Sequence, residues 1–256
     1  MREADRYECL LKREVERLRI EIMEHGIEDP RISVIIMAFN EAHTLEMVVR
    51  EIDSTLSEAK QPYEVVIVND GSQDETGEIA ERLAEELECV RVIHHETNKG
   101  LGGVYRTGFA HAQGGFITFF PADGQLPAAI LKQFTPLMGE ADMVLSYLPK
   151  RSDSVLAKSL SWAERALYRL LFGPLPKVQG TIMFRRTLLD EVELKTIGSR
   201  GWAVVIELII RASKGGYKLV SVPTEMRPRM SGRSKVKNLP TIWANLKQAI
   251  ALYRYL

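Results

Sequence analysis

Four short clusters in the first half of the chain carry side chains suited to holding a polar ligand. They are Ala38-Phe39-Asn40-Glu41, Asn69-Asp70-Gly71-Ser72-Gln73-Asp74, Asn98-Lys99-Gly100-Leu101-Gly102 and Pro121-Ala122-Asp123-Gly124-Gln125-Leu126-Pro127. Between them they offer an aromatic face, carboxylate and amide oxygens, and glycines that let backbone approach a ligand closely. Each cluster taken alone has a local explanation. Asn-Asp-Gly-Ser is a good turn and Asp74 suits a helix N-cap. Asn-Lys-Gly and Ala-Asp-Gly-Gln also read as ordinary turns. What points beyond turns is their placement, because each follows an apolar run.

Those runs are Ile32 to Ala38, Glu64 to Val68, Val90 to Ile93 and Phe116 to Phe120. The first is almost continuously apolar, as a parallel strand buried on both faces requires. Helical segments are expected between them, over about 41–59, 74–87 and 102–113. Strand and helix alternating in this way imply a mostly parallel sheet with helices on both faces. Right-handed crossovers put all the strand C-terminal ends on one edge. Open α/β sheets bind ligands at that edge. Four strands therefore deliver four ligand-suited clusters to one place.

The second half alternates less regularly. Met143 to Ser146, Thr181 to Phe184 and Tyr217 to Val222 read as strands, and Leu156 to Phe172 and Val204 to Ala212 as helices. Pro223 to Lys237 is basic and rich in Pro, Gly and Ser, which reads as a flexible loop. Residues 1–29 form an N-terminal helical extension in this reading, with Tyr7, Leu11, Val15, Leu18 and Ile22 on one face. It either packs on its own domain or forms a short coil that would make a homodimer. Residues 30–238 form the main domain. Residues 239–256 form an amphipathic helix with Ile242, Trp243, Leu246, Ile250 and Tyr253 on one face.

Composition removes several classes of function. The 256 residues carry 34 basic and 34 acidic side chains, so bulk charge gives no footprint for nucleic acid. Cys9 and Cys89 are far apart and form no CxxC pair, so neither a zinc site nor a disulfide framework is expected. That fits a cytoplasmic compartment. The charged N-terminus is not a signal peptide, and no run of 18 or more apolar residues exists. A dinucleotide dehydrogenase is disfavoured because no GxGxxG follows the first strand.

The motifs in this order resemble family 2 glycosyltransferases with the GT-A fold. The resemblance is strongest to dolichol-phosphate mannosyltransferases and bacterial polyprenyl-phosphate glycosyltransferases. VIIMAFNE (34–41) is similar to the family's VIIPAYNE, and VIVNDGSQD (66–74) to VVDDGSTD. NKGLGG (98–103), continuing to Gly108, resembles N.G.G.A...G. RMSGRSK (229–235) resembles R..G.SK. The implied fold is a Rossmann-like α/β sheet flanked by helices, with the N- and C-terminal helices as additions. The implied activity is transfer of a sugar from a nucleotide-diphosphate donor.

The resemblance also implies roles. Phe39, Glu41 and Asp70 would hold the base and ribose, with Lys99 and Gly100 beside them. Asp123 and Gln125 would hold Mg2+ or Mn2+ and the diphosphate. Arg229, Ser234 and Lys235 would lie over the phosphates. The chemistry is consistent, since a departing diphosphate builds negative charge that a hard cation, Arg and Lys can neutralise. The family usually ends its fourth strand with Asp-x-Asp. Here Pro121 stands at the first of those positions, leaving Asp123 alone. Magnesium often binds through one or two carboxylates plus substrate phosphates, so one carboxylate suffices in principle.

The acceptor divides on proton chemistry. A sugar hydroxyl needs a carboxylate base, whereas a phosphate is already ionised near neutrality and needs positive charge to dock. Arg151 and Arg165, in a basic stretch from Lys150 to Arg169, are the implied acceptor-phosphate contacts. Glu207, following Trp202, is the best candidate for a base or acceptor contact; a buried, paired structural carboxylate is the other reading of it. The absence of QxxRW argues for single transfer. The expectation is an inverting transfer to polyprenyl phosphate, with the C-terminal helix resting on the inner face of the membrane. Transfer to a soluble hydroxyl, or nucleotide-sugar binding without catalysis, are the alternatives.

Overall fold

The computed structural model describes residues 32–149, 169–192, 194, 201–228 and 252–253. These belong to one compact unit, Arg31–Leu256. The N-terminal extension, the basic stretch with Arg151 and Arg165, the Arg229–Lys235 motif and nearly all of the C-terminal helix lie outside the described residues.

Seven strands form one sheet: β1 (Ile32–Ala38), β2 (Tyr63–Asn69), β3 (Val90–His94), β4 (Phe116–Pro121), β5 (Met143–Tyr147), β6 (Ile182–Arg185) and β7 (Leu219–Pro223). Their order is β3-β2-β1-β4-β6-β5-β7. All neighbours pair in parallel except β6, which is antiparallel to both β4 and β5. The helices are α1 (Leu45–Glu58), α2 (Thr76–Glu86), α3 (Gly100–His111), α4 (Ile130–Leu137), α5 (Thr187–Glu191) and α6 (Ala203–Lys214). The mostly parallel α/β sheet expected from the sequence is therefore observed.

The pleat explains the largely apolar strands. Val34, Ile36, Val65, Ile67 and Phe120 point to the face covered by α1, α2 and α4. Ile35, Val66, Val68, Ile117 and Phe119 point to the face covered by α3 and α6. Successive residues go to opposite faces, so a strand covered on both sides is apolar over most of its length. In α1, Leu45, Val48, Val49, Ile52 and Leu56 recur at helical spacing and are buried. On the other face Tyr105, Phe119 and Trp202 form a ring cluster with centroids 4.9 to 5.9 Å apart.

Three details differ from the sequence reading. Helix α3 begins at Gly100, two residues early, because the carboxylate of Asp70, just past β2, satisfies amides at its first turn. Helices α4 and α5 were not anticipated. Pro136 lies inside α4, and α5 spans only five residues. In the stretch read as a loop, only Pro223 is drawn into a strand; residues 224–228 have no helix or strand, and 229–237 lie outside the described residues. β7 runs to Pro223, and Thr224 donates its N–H to Tyr147 O at 2.8 Å. At the far end of the chain Leu252 is buried with Phe172 and Ile210, and the Tyr253 ring stands 6.1 Å from that of Phe172. Among the described residues no helix is long and apolar enough to cross a membrane.

Candidate active site

The sheet order turns at β1, which has β2 on one side and β4 on the other. This is the switch point where open α/β sheets form a crevice. Pairing continues past the strands on both sides. Asp70 donates its N–H to Ala38 O at 2.9 Å, and Ala122 donates to Met37 O at 3.0 Å. Phe39 and Glu41, both half-buried, follow β1 between the Asp70 and Asp123 loops.

The first two loops are stitched together by side chains. Asn40 adopts φ 53, a left-handed conformation that Asn tolerates better than most residues. Its N–H donates to Ser72 Oγ at 2.9 Å, and its Oδ1 accepts from Gln73 N at 2.8 Å. Glu41 N–H donates to Thr76 Oγ1 at 2.9 Å. Asp74 accepts from Thr76 N at 3.1 Å and from Ala42 N at 3.3 Å. Burial pushes the Asp74 carboxyl up, but these hydrogen bonds, that from the Thr76 hydroxyl first, hold it below its usual range. Asp74 thus supports the first turn of α2 from one residue ahead of its N-cap, Glu75.

Asp70 is 3% exposed. Its Oδ1 accepts from Lys99 N at 2.8 Å and its Oδ2 from Gly100 N at 2.9 Å. Asn98 Nδ2 reaches its carbonyl at 3.3 Å. A carboxylate at the positive end of α3 satisfies amides that the helix itself leaves unpaired. His95, also buried, joins Asp70 Oδ1 through Nδ1 at 2.7 Å and Thr107 Oγ1 through Nε2 at 2.8 Å. Asn69 Oδ1 accepts from Ser72 N, and its Nδ2 donates to His94 Nδ1 at 2.9 Å. The pair His94-His95 went unremarked in the sequence; two histidines closing a strand beside an Asp turn were the available signal.

Asp123 lies half-buried past the end of β4, with Oδ1 accepting from Gln125 N at 3.1 Å. Residues 224–228 cross this loop. Arg227 N–H donates to Gln125 O at 2.8 Å, and Gln125 Nε2 lies 3.5 Å from Arg227 O. The Arg227 guanidinium grips Glu51 of α1 with two bonds, of 2.6 and 2.7 Å. Glu51 Oε1 also accepts from Ala128 N at 3.1 Å. The Arg227 hydrogen bond, against burial and with help from Ala128, holds the Glu51 carboxyl below its usual range. Neither Glu51 nor Arg227 was singled out from the sequence. They stand 176 residues apart, and nothing local marks them as partners.

The structure thus brings Phe39, Glu41, Asp70, Lys99, Gly100, Asp123 and Gln125 to the C-terminal edge of the sheet. Glu207 is different. It is fully buried on α6 and accepts from Arg211 Nε at 2.8 Å. Arg151, Arg165, Arg229, Ser234 and Lys235 lie outside the described residues. Among those described, no group of three His, Cys, Asp or Glu could hold a metal. Asp123 and Gln125 supply only hard oxygen donors. That set fits Mg2+ or Mn2+ when ligand phosphates complete the coordination, and fits a softer metal poorly.

Comparison with known proteins agrees with this architecture. A glucosyl-3-phosphoglycerate synthase from Mycobacterium tuberculosis, solved with uridine diphosphate, superposes with a TM-score of 0.68 at 20% identity, covering 88% of this chain and 80% of that one. Undecaprenyl-phosphate mannosyltransferase of Micrococcus luteus is 27% identical over 80% of this chain and 87% of its own length. Glycosyltransferase AglD of Haloferax volcanii is 31% identical over 82% of this chain. Dolichol-phosphate mannosyltransferase of Pyrococcus furiosus is 29% identical over 88% of it. The chain spans only 34% of the Haloferax protein and 64% of the Pyrococcus protein. The model of glycosyl transferase family 2 matches residues 33–193, from the first strand through the β4 loop and beyond β6. With a GT-A sheet that carries the motifs of its first four strands on its C-terminal edge, the chain belongs to glycosyl transferase family 2.

Proposed function

We propose that the chain moves one sugar from a nucleotide-diphosphate sugar to a polyprenyl phosphate, with inversion at the anomeric carbon. An oxygen of the acceptor phosphate attacks that carbon in line. The bond to the donor diphosphate breaks, and its electron pair leaves on the diphosphate oxygen. The observation that carries this reading is the position of Asp123, at the end of β4 beside the β1 crevice and beneath residues 224–228.

Asp123 and Gln125 would hold Mg2+ or Mn2+, which when bound supplies positive charge to the leaving diphosphate. Phe39 and Glu41 would meet the base and ribose. Asp70 would act one step back, because its carboxylate is buried and holds the amides of Lys99 and Gly100. Arg229, Ser234 and Lys235 would add donors over the diphosphate, and Arg151 and Arg165 would receive the acceptor phosphate.

The choice of acceptor rests on Glu207. A fully buried carboxylate paired with Arg211 is not set to take a proton from an incoming hydroxyl. An ionised phosphate needs no such base. The names of the Micrococcus and Pyrococcus relatives support the same acceptor class. The test is incubation with GDP- and UDP-sugars and Mn2+, offering short-chain polyprenyl phosphate or soluble sugars. Product on the lipid phosphate alone is expected. Transfer to the soluble sugars with the lipid phosphate unused would overturn the acceptor. Nucleotide binding without turnover on any acceptor would overturn the activity.

A further inference from the structure

The loop 123–128 is held at two places by one carboxylate. Glu51, on the second turn of α1, accepts from Ala128 N–H, where the loop ends. The same carboxylate binds both terminal nitrogens of Arg227, whose backbone N–H grips Gln125 O in the middle of the loop. The path from α1 through Arg227 to Gln125, and back through Ala128 to Glu51, is closed. Two parallel N–H to oxygen bonds fix the guanidinium plane as well as its distance.

We propose that Glu51 is a positioning residue for cation binding: through Arg227 and Ala128 it holds Gln125, and with it the Asp123 turn, where a nucleotide-bound divalent cation is met. This rests on the reading of Asp123 and Gln125 as the cation-binding pair. Glu51 touches neither the cation nor the donor. Partners that orient metal ligands commonly matter to affinity by about ten- to a hundredfold. As a stability element the pair contributes little, since Glu51 is 27% and Arg227 43% exposed. Position, not fold stability, is what it supplies.

A neighbour provides the control. Glu58, seven residues on along α1, pairs with Lys132 of α4 at 2.9 Å without touching the loop. Mn2+ is titrated by electron paramagnetic resonance with GDP or UDP present, using wild type, Glu51→Gln, Arg227→Gln and Glu58→Gln, with thermal midpoints measured in parallel. Nucleotide-dependent Mn2+ binding should weaken about tenfold or more in Glu51→Gln and in Arg227→Gln. It should stay unchanged in Glu58→Gln, with all midpoints close to wild type. Should Glu51→Gln fail to fold, Arg227→Gln carries the test alone. Wild-type Mn2+ affinity in a folded Glu51 or Arg227 variant would overturn the positioning role and leave the proposed function standing. Absence of nucleotide-dependent Mn2+ binding in the wild type would overturn both.

Discussion

The carboxylate of Asp70 and the imidazole of His95 meet 2.7 Å apart, both buried, where the ends of β2 and β3 face the first turn of α3. Asp70 accepts, so the His95 Nδ1–H donates; in the neutral imidazole Nε2 is then placed to accept from the Thr107 hydroxyl. Three chain segments converge on one carboxylate, because Lys99 and Gly100 bond to it as well. Asp70→Ala leaves three donors without this acceptor, one of them on the buried His95 ring and two on the part-buried amides of Lys99 and Gly100, and should cost about 2 kcal/mol of stability. Urea unfolding measures this. A loss within about 0.5 kcal/mol, the size of an ordinary surface substitution, would show that the donors find other partners.

Gly71 should not tolerate a side chain. Its φ is 71°, and a Cβ there would lie 2.8 Å from Thr97 C and 2.9 Å from Asn98 N. Both are backbone atoms of the loop that carries Lys99 and Gly100. Gly173 gives a matched control, with φ 84° but nothing within 4 Å of an added Cβ. Gly173→Ala should cost about 1–2 kcal/mol from the left-handed conformation alone. Gly71→Ala should cost that and a further 1–3 kcal/mol or so from the backbone clash. Amide exchange at Lys99 and Gly100 should quicken only in Gly71→Ala. Equal losses in the two variants would rule out the clash.

How legible the fold was in the sequence follows from the range of each interaction. β1, β2 and β4 are largely apolar because both faces are covered, and that pattern lies within one strand. α1 and α6 announce themselves by apolar spacing for the same reason. The direction of β6 has no such signature. Its partners β4 and β5 are fixed by the path of the chain and not by Ile182 to Arg185 themselves. α4 carries Pro136, which reads as a breaker although it sits in the last turn. At the site, Asp123 and Asp70 were legible because turn residues follow strands. Their contacts were not. The Glu51–Arg227 pair joins a helix near the start of the chain to the segment after β7. The burial of Asp70 comes from the return of α3 across β2.

Acid should destabilise the protein through a small set of carboxylates. Glu64 is 1% exposed and accepts from Ser33 Oγ, Gln113 N and an Arg91 guanidinium nitrogen, each at 2.6 Å. Burial pushes its carboxyl up, but the Ser33 and Arg91 bonds outweigh burial and leave it below its usual range. Asp74 is lowered as well. A carboxyl with a folded pKa below its unfolded one binds fewer protons when folded, so its contribution is complete above the unfolded value, about 4. It is lost as pH falls through the lowered folded value. Stability should therefore be level from neutrality to about pH 5 and fall below that. Glu64→Gln should shallow the acid limb while lowering stability at pH 7. Parallel acid limbs in Glu64→Gln and wild type would remove Glu64 from this account.

Asp123→Asn separates charge from shape. Asp123 Oδ1 accepts from Gln125 N–H, a role that an amide oxygen can also fill. The fold should survive, and the thermal midpoint should match wild type. The negative charge that would hold a cation against the diphosphate is gone, however. Turnover should fall by about 10²–10³, the loss typical when one preorganised electrostatic contact to a developing charge is removed. Raising Mn2+ should recover part of the rate, because the amide oxygen and the donor phosphates remain as ligands. The measurement is initial rate against Mn2+ at saturating nucleotide sugar and polyprenyl phosphate, beside a thermal scan. Near-normal turnover with an unshifted Mn2+ dependence would take Asp123 out of the cation site, and with it the electrostatic basis of the proposed transfer.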